Sequence, residues 1–414
     1  MLYDALNADF KKPVFETYAS EMGVVYEEIS CMLKNIKKWS SPRSVKDNLV
    51  NFPSQNKILA EPYGVTLIIG AWNYPFQLTI LPVVGAVAAG NTCIIKPPRT
   101  AINTYRVIHQ MINETFDNHF LAILDENSEN SDMLSNRYDY IFFTGSVEIG
   151  KKVARAAAEY LTPTTLELGG KSPCIVDKDV DVELAAKRIA WGKFMNCGQT
   201  CVAPDYLLLH NDVKEKFYRA FGSAVRQFYG ENPQVSADYA RMINDKHYNR
   251  LASMLLDGKI IVGGQTDAAS KYIAPTLIEI HSLDHPLMMD EIFGPILPVL
   301  NIQSIDEAIA IIKKFEKPLA FYLFTQSGAV QQKCLNSLQF GGGTINDTIA
   351  HFVNSNLPFG GLGNSGIGAY HGKSSFETFT HRKAVCFKAG WLDLPLRYPP
   401  YNEVNSKLVK QILR

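Results

Sequence analysis

Apolar positions recur along this chain with two periods, and the alternation between those periods predicts its architecture. Between residues 4 and 39 they fall at helical spacing (Phe15, Tyr18, Met22, Val25, Tyr26, Ile29, Met32, Leu33, Ile36), the pattern of one or two amphipathic helices. Residues 41–62 are polar, carry three prolines and read as a loop followed by an edge hairpin at 50–62. The run Val65-Thr-Leu-Ile-Ile69 is continuously apolar, as expected of a parallel strand buried on both faces, and stops at Gly70. Beyond it, helices over 77–89, 101–116, 131–136 and 147–160 are predicted to alternate with strands over 92–96, 119–124, 140–143 and 165–168. A second alternating block runs from 171 to 345, with strands near 173–176, 205–209, 296–301, 319–324 and 341–345. Helices near 182–194, 211–229, 246–257, 304–315 and 328–338 separate them. Repeated β-α-β units of this length predict an α/β protein with open parallel sheets. A nucleotide would bind at the carboxyl ends of the strands.

Composition narrows the class without changing that picture. A chain of 414 residues, 46% apolar and 20% charged, suits a soluble globular enzyme of about two or three domains. A formal net charge of zero and the lack of a long basic run leave no footprint for nucleic acid. Seven cysteines at irregular spacing, with no paired Cys-x-x-Cys, form neither a secreted disulfide framework nor a metal site; a reducing, cytoplasmic setting is expected. No signal peptide is visible, no membrane anchor is seen in the C-terminal tail, and the apolar run 78–90 is too short to span a bilayer.

The candidate chemistry centres on Phe194-Met-Asn-Cys-Gly-Gln-Thr-Cys201, a loop between an amphipathic run and a strand-like run. Most cysteines are small buried fillers, but a loop cysteine held between two rigid elements can be aimed. Thirty-four residues earlier, Glu167 stands between Leu166 and Leu168, ahead of two glycines. A carboxyl in such a setting is either at a strand end or pushed toward neutrality and available as a base. No Gly-x-Gly-x-x-Gly fingerprint occurs; Gly145-Ser146-Val-Glu-Ile-Gly150 opens a predicted helix instead. Its small residues would admit a pyrophosphate, although Ser146 also reads as an ordinary helix cap. Asn73, ahead of Pro75, reads on its own as a turn residue.

Seven collinear motifs change those readings: Gly70-Ala-Trp-Asn73-Tyr-Pro-Phe76, Ile95-Lys96-Pro97, Phe143-Thr-Gly145-Ser146, Leu166-Glu167-Leu-Gly-Gly-Lys-Ser-Pro173, Gly198-Gln-Thr-Cys201-Val-Ala-Pro, Glu291-Ile-Phe293-Gly-Pro295 and Leu357-Pro-Phe-Gly-Gly-Leu-Gly-Asn-Ser-Gly366. In this order they resemble the aldehyde dehydrogenase superfamily, in particular its class 3 branch, from about residue 5 to the end. The resemblance implies a cofactor-binding domain (1–169), a catalytic domain (170–345) and a return segment (346–414) that forms a dimerisation arm with the 50–62 hairpin. It implies Cys201 as nucleophile, Glu167 as general base, and Asn73 with the Cys201 backbone N–H as oxyanion donors. Trp72, Lys96, Gly145, Ser146, Gly150, Glu291 and Phe293 become cofactor-binding residues. The expected reaction is NAD(P)-dependent oxidation of medium-chain aliphatic or aromatic aldehydes to carboxylates by a homodimer.

Arg99 departs from the family pattern, since most relatives carry there a carboxylate that accepts from the adenosine 2′-hydroxyl. An arginine offers a phosphate clamp instead, so NADP is expected to be accepted at least as well as NAD; a solvent-facing Arg99 is the equal alternative. Lys171 is a weaker candidate for steering charge in the pocket. Tyr74, Trp191 and Phe352 are candidates for its lining, and Cys197 for either a filler or a redox partner of Cys201. Two rival functions share these residues: a thioester-forming esterase or acyl transferase, and a catalytically silent scaffold.

Overall fold

The computed structural model describes residues 1–48, 51–126, 133–256, 258–393 and 395–413. The N-terminal amphipathic pattern forms a helix at Leu2–Phe10 and a second stretch from Val14 to Trp39, interrupted by a π-helical turn at Tyr18–Met22. Next come β1 (Arg43–Val45) and β2 (Ser54–Pro62), paired antiparallel.

A six-stranded sheet follows, five of whose strands are parallel: β3 (Val65–Ile69), β4 (Thr92–Lys96), β5 (Leu121–Ile123), β6 (Tyr140–Thr144) and β7 (Thr164–Glu167). The chain runs outward from β3 through β4 to β5, then returns to place β6 and β7 on the other side. β3 is therefore the switch point, where a crevice opens above the carboxyl ends of the strands. Those ends carry Trp72 and Asn73, Lys96, Gly145 and Ser146, and Glu167. The helix Gln77–Ala88 after β3 is buried along most of its length, consistent with a sequence apolar on all faces. The helix expected over 131–136 begins outside the described residues.

The second sheet contains β8 (Pro173–Val176), β9 (Tyr206–His210), β10 (Lys259–Val262), β13 (Thr276–Glu279), β14 (Ile296–Ile302), β15 (Ala320–Phe324) and β16 (Gly342–Ile345), with β11 (Thr266–Asp267) and β12 (Tyr272–Ile273) pairing apart from it. Its order is β10-β13-β14-β9-β8-β15-β16, parallel except for β10 at the edge. The sequence pattern misses β10, because Lys259–Val262 is short and largely solvent-facing, and it also misses the buried four-residue β13. β17 (Gly366–Ile367) returns to the first sheet and pairs antiparallel with β7.

The hairpin of this stretch is formed by β1 and β2, so it begins earlier than the 50–62 expected, and β2 also pairs along its whole length with β18 (Thr380–Lys388), giving a three-stranded arm. The prolines and polar residues of 41–62 mark chain reversals, but the partner strand lies over 300 residues away, beyond the reach of a local pattern.

Candidate active site

Cys201 stands just before β9, at the end of a loop that the chain bends sharply to make. Asn196 and Cys197 both adopt left-handed backbone angles (φ 54° each), followed by Gly198 at φ 70°. Only glycine fits at 198, where a Cβ would lie 2.3 Å from the Gly294 carbonyl oxygen. Gln199, fully buried, fastens the bend: its Nε2 donates to Asn196 O (3.1 Å) and Arg241 O (3.0 Å), and its Oε1 accepts from Ile243 N (3.0 Å).

Asn73 reaches the same loop from the first sheet. Its Nδ2 donates to Gln199 O at 3.1 Å, and its carbonyl accepts from Asn196 Nδ2 at 2.8 Å. A side-chain amide has two N–H groups, so the bond to Gln199 orients Asn73 and leaves a second donor for an oxyanion. Tyr74 adds a 2.6 Å hydrogen bond between its hydroxyl and that of Thr200.

Cys201 and Glu167 line one cavity. Leu78, Leu168, Met195, Val202, Leu319, Ile349 and Phe359 make its wall apolar. Tyr74 and Phe352 line it as expected, whereas Trp191 does not; its ring is 43% exposed on the outer side of the helix Val182–Phe194. Three polar side chains that the sequence pattern did not single out, Gln77, Thr144 and Tyr370, also face this cavity. Each carries a buried polar atom with no partner among the described residues, like both carboxyl oxygens of Glu167.

Glu167 is 3% exposed, and burial pushes its carboxyl well above the usual carboxylate range. Burial likewise pushes the Cys201 thiol up to about 12, with the nearby Glu291 and Glu167 carboxylates adding to the shift. Glu291 is itself raised to about 8 by burial and by Asp205, against the Gly170 N–H and the Lys171 and Lys193 charges. Its carboxyl lies over the segment after β7, where a Cβ on Gly169 would stand 2.0 Å from Oε2. The first glycine of the pair is therefore a clearance for Glu291.

Lys171 is committed elsewhere. It donates to Asp205 Oδ2 (2.6 Å), Leu287 O (2.8 Å) and Asp290 O (3.0 Å), while Asp205 Oδ1 accepts from Ile292 N (2.9 Å). This buried pair fastens the loop bearing Glu291 and Phe293, and Arg250 supports the same loop by donating to the Ile292 carbonyl. Cys197 is fully buried, its sulfur 3.6 Å from the Tyr239 hydroxyl and 3.9 Å from the Met242 sulfur. It packs as a filler away from the cavity.

The remaining expected cofactor residues gather at the switch point. Phe293 (φ 52°) meets Trp72 edge-on at 5.3 Å. Ser146 is exposed and caps the helix Val147–Ala158 by accepting from Ile149 N at 3.4 Å, leaving the helix N-terminus open beside Gly145. Gly150 serves packing: a Cβ there would lie 2.6 Å from Leu168 Cδ2. Burial and the Arg99 charge lower the Lys96 ammonium. Arg99 is exposed and donates to the Glu126 carbonyl at 2.6 Å, so the guanidinium is tethered beside Lys96. Among the described residues no cluster of histidine, cysteine or carboxylate side chains could hold a metal ion, and no helix is long and apolar enough to cross a membrane.

Residues 2–385 match the model of the aldehyde dehydrogenase family. The chain is 48% identical over 403 residues to 4,4'-diaponeurosporen-aldehyde dehydrogenase of Staphylococcus aureus, covering 97% of this chain and 88% of that protein. It is 43% identical over 404 residues to the Homo sapiens aldehyde dehydrogenase family 3 member B1, covering 97% and 86%. A solved substrate-bound structure of Staphylococcus aureus AldH superposes with a TM-score of 0.97 at 46% identity, over 100% of this chain and 91% of that one.

Proposed function

This chain belongs to the aldehyde dehydrogenase family, and from that premise we propose which of its residues carry out the oxidation. It is an oxidoreductase that acts on aldehydes and uses a nicotinamide cofactor. The observation that carries the assignment is that Cys201 and Glu167, from separate segments, line one apolar cavity, while Asn73, from a third, is bonded to the loop that carries Cys201.

The Cys201 thiolate adds to the aldehyde carbon, and the oxyanion takes hydrogen bonds from Asn73 Nδ2 and the Cys201 backbone N–H. A nicotinamide held beside Glu291 and Phe293 would supply the hydride acceptor and a positive charge to offset the two carboxyls that disfavour the thiolate. Glu167 then removes a proton from water, which attacks the thioester, frees the carboxylate product and regenerates the thiol. A carboxyl held neutral by burial ionises easily only when water or a cation enters, so Glu167 is a base suited to the second half of the reaction.

The residues fit a dinucleotide. The Gly145–Ser146 turn presents an open helix N-terminus to a pyrophosphate, and Glu291 and Phe293 sit on a firmly fastened loop for the nicotinamide ribose and ring. Burial and the Arg99 charge lower Lys96 in the place expected for the adenosine ribose, and a 2′-phosphate there would relieve the repulsion. This supports acceptance of NADP as well as NAD. The apolar cavity supports medium-chain aliphatic or aromatic aldehydes. The free edge of β18, exposed along most of its length, supports pairing of two copies into a homodimer. Seven free cysteines fit a cytoplasmic setting. We assign cofactor binding to 1–169, catalysis to 170–345 and the arm to the return segment.

The test is cofactor reduction at 340 nm with a panel of aldehydes, NAD and NADP separately, on wild type and Cys201→Ala. The variant is expected to lose roughly 10³-fold or more of kcat. Retained turnover in Cys201→Ala would sink the nucleophile assignment, and product release without cofactor reduction would favour an esterase.

A further inference from the structure

The bend that aims Cys201 places two consecutive non-glycine residues, Asn196 and Cys197, at left-handed backbone angles, which residues with a Cβ adopt only under constraint. Gln199 and Asn73 constrain this bend from within the two sheets, as described above. One further group reaches it from outside them. Glu16, on the N-terminal stretch, accepts the Asn196 backbone N–H with its Oε2 at 2.9 Å. This bond enters the bend at its first left-handed residue.

The segment around Glu16 is built to hold it there. The π-helical turn Tyr18–Met22 follows at once, and Ser20, which lines the catalytic cavity, donates its hydroxyl to the Glu16 carbonyl at 2.6 Å. Glu21 accepts from Lys12 Nζ (2.7 Å), Phe76 N (3.1 Å) and Gln77 N (2.9 Å), pinning the turn to the start of the buried helix Gln77–Ala88. The Lys12 ammonium also lies 4.1 Å from the centre of the Tyr74 ring, whose hydroxyl bonds Thr200 next to the nucleophile.

We propose that Glu16 is a positioning residue for the nucleophile: its carboxylate clamps the strained bend at Asn196 and so sets where Cys201 stands in the cavity. The proposal rests on Cys201 being the nucleophile. A charged acceptor holds an N–H more strongly than a neutral one, so the clamp is tighter when Glu16 is ionised. Burial raises Glu16 to about 7; Lys12 opposes that shift and Asp238 adds to it. Tyr74, Tyr229 and Cys197 face the same carboxyl. The clamp therefore loosens as pH falls through neutrality.

The experiment compares kcat and aldehyde KM of the full-length wild type, Glu16→Gln and Glu16→Ala at about pH 8.5 and about pH 6, with melting temperatures and Cys201→Ala in parallel. The isosteric Glu16→Gln keeps a neutral acceptor. Its kcat is expected to be about fivefold below wild type at the higher pH and to converge within about twofold at the lower, with KM little changed. Glu16→Ala is expected to be slower at both. A Gln-to-wild-type ratio that is the same at both pH values overturns the clamp, as does a folded Glu16→Ala with wild-type kcat. Should Glu16→Ala fail to fold, the pH ratio of Glu16→Gln decides alone. Activity surviving in Cys201→Ala would instead remove the nucleophile assignment on which the clamp depends.

Discussion

Glu167 shows how a single side chain can be read from sequence and still hold back its most useful property. A carboxylate between two leucines and ahead of two glycines already points to a buried base, and the structure adds that neither oxygen has a partner among the described residues. Replacing it with the neutral isostere Gln is expected to lower kcat about 10²- to 10⁴-fold, with thioester accumulating, because water loses its base. Burst kinetics that match wild type would exclude the role. Arg99 is the other residue where a substitution decides between readings. Arg99→Glu should shift the NADP/NAD ratio of kcat/KM toward NAD by about tenfold, the worth of one good charge-assisted contact; an unmoved ratio would leave Arg99 as a tether for the Glu126 loop. What sequence could not reveal is Glu16, whose bond to Asn196 spans 180 positions and belongs to no motif.

Loops, strands and helices differ in how far their partners lie, and this separates what was readable from what was not. The parallel strands announce themselves as continuous apolar runs, and each carboxyl end delivers a motif to the switch point. The Lys171–Asp205 pair, by contrast, ties three loops together through side chains that local patterns leave unassigned. Both members are nearly buried, with side chains 7% and 5% exposed, so Lys171→Met would leave Asp205 uncompensated. The cost is expected to be about 3–5 kcal/mol in denaturant unfolding, accompanied by weaker cofactor binding as the Glu291 loop slackens. An unchanged unfolding midpoint would show that the loop is held by Arg250 and packing alone. The pairing of β2 with β18 is likewise invisible to any local pattern; the family resemblance alone brought the return segment to the 50–62 stretch.

Taken together, the buried ionisable groups give the cofactor-free protein a characteristic response to pH. Glu16, Glu291 and Glu167 all have raised pKa values, about 7 and about 8 for the first two, so each favours the protonated native state. Their contribution is complete below about 4.5 and is lost as pH rises through those values. His351 and His371, lowered by burial to about 4 and about 3, contribute above about 6.5 and lose that contribution as pH falls. Stability measured by urea unfolding is therefore expected to peak near about 4.5, to fall below it as the histidines charge, and to fall above it because the carboxyls outweigh the two histidines, with Glu167→Gln flattening the alkaline decline. A midpoint that rises steadily to pH 9 would contradict this. The arm joining β2 to β18 has a different kind of consequence, one of timing. Glu61 and Lys383, bonded across that arm, are 322 positions apart. A ribosome adding about 5–20 residues each second needs roughly 15–60 s between them, so β2 waits that long for its partner. During translation the β2 backbone stands as an open strand edge, available to any neighbouring nascent copy until its own C-terminal ribbon emerges.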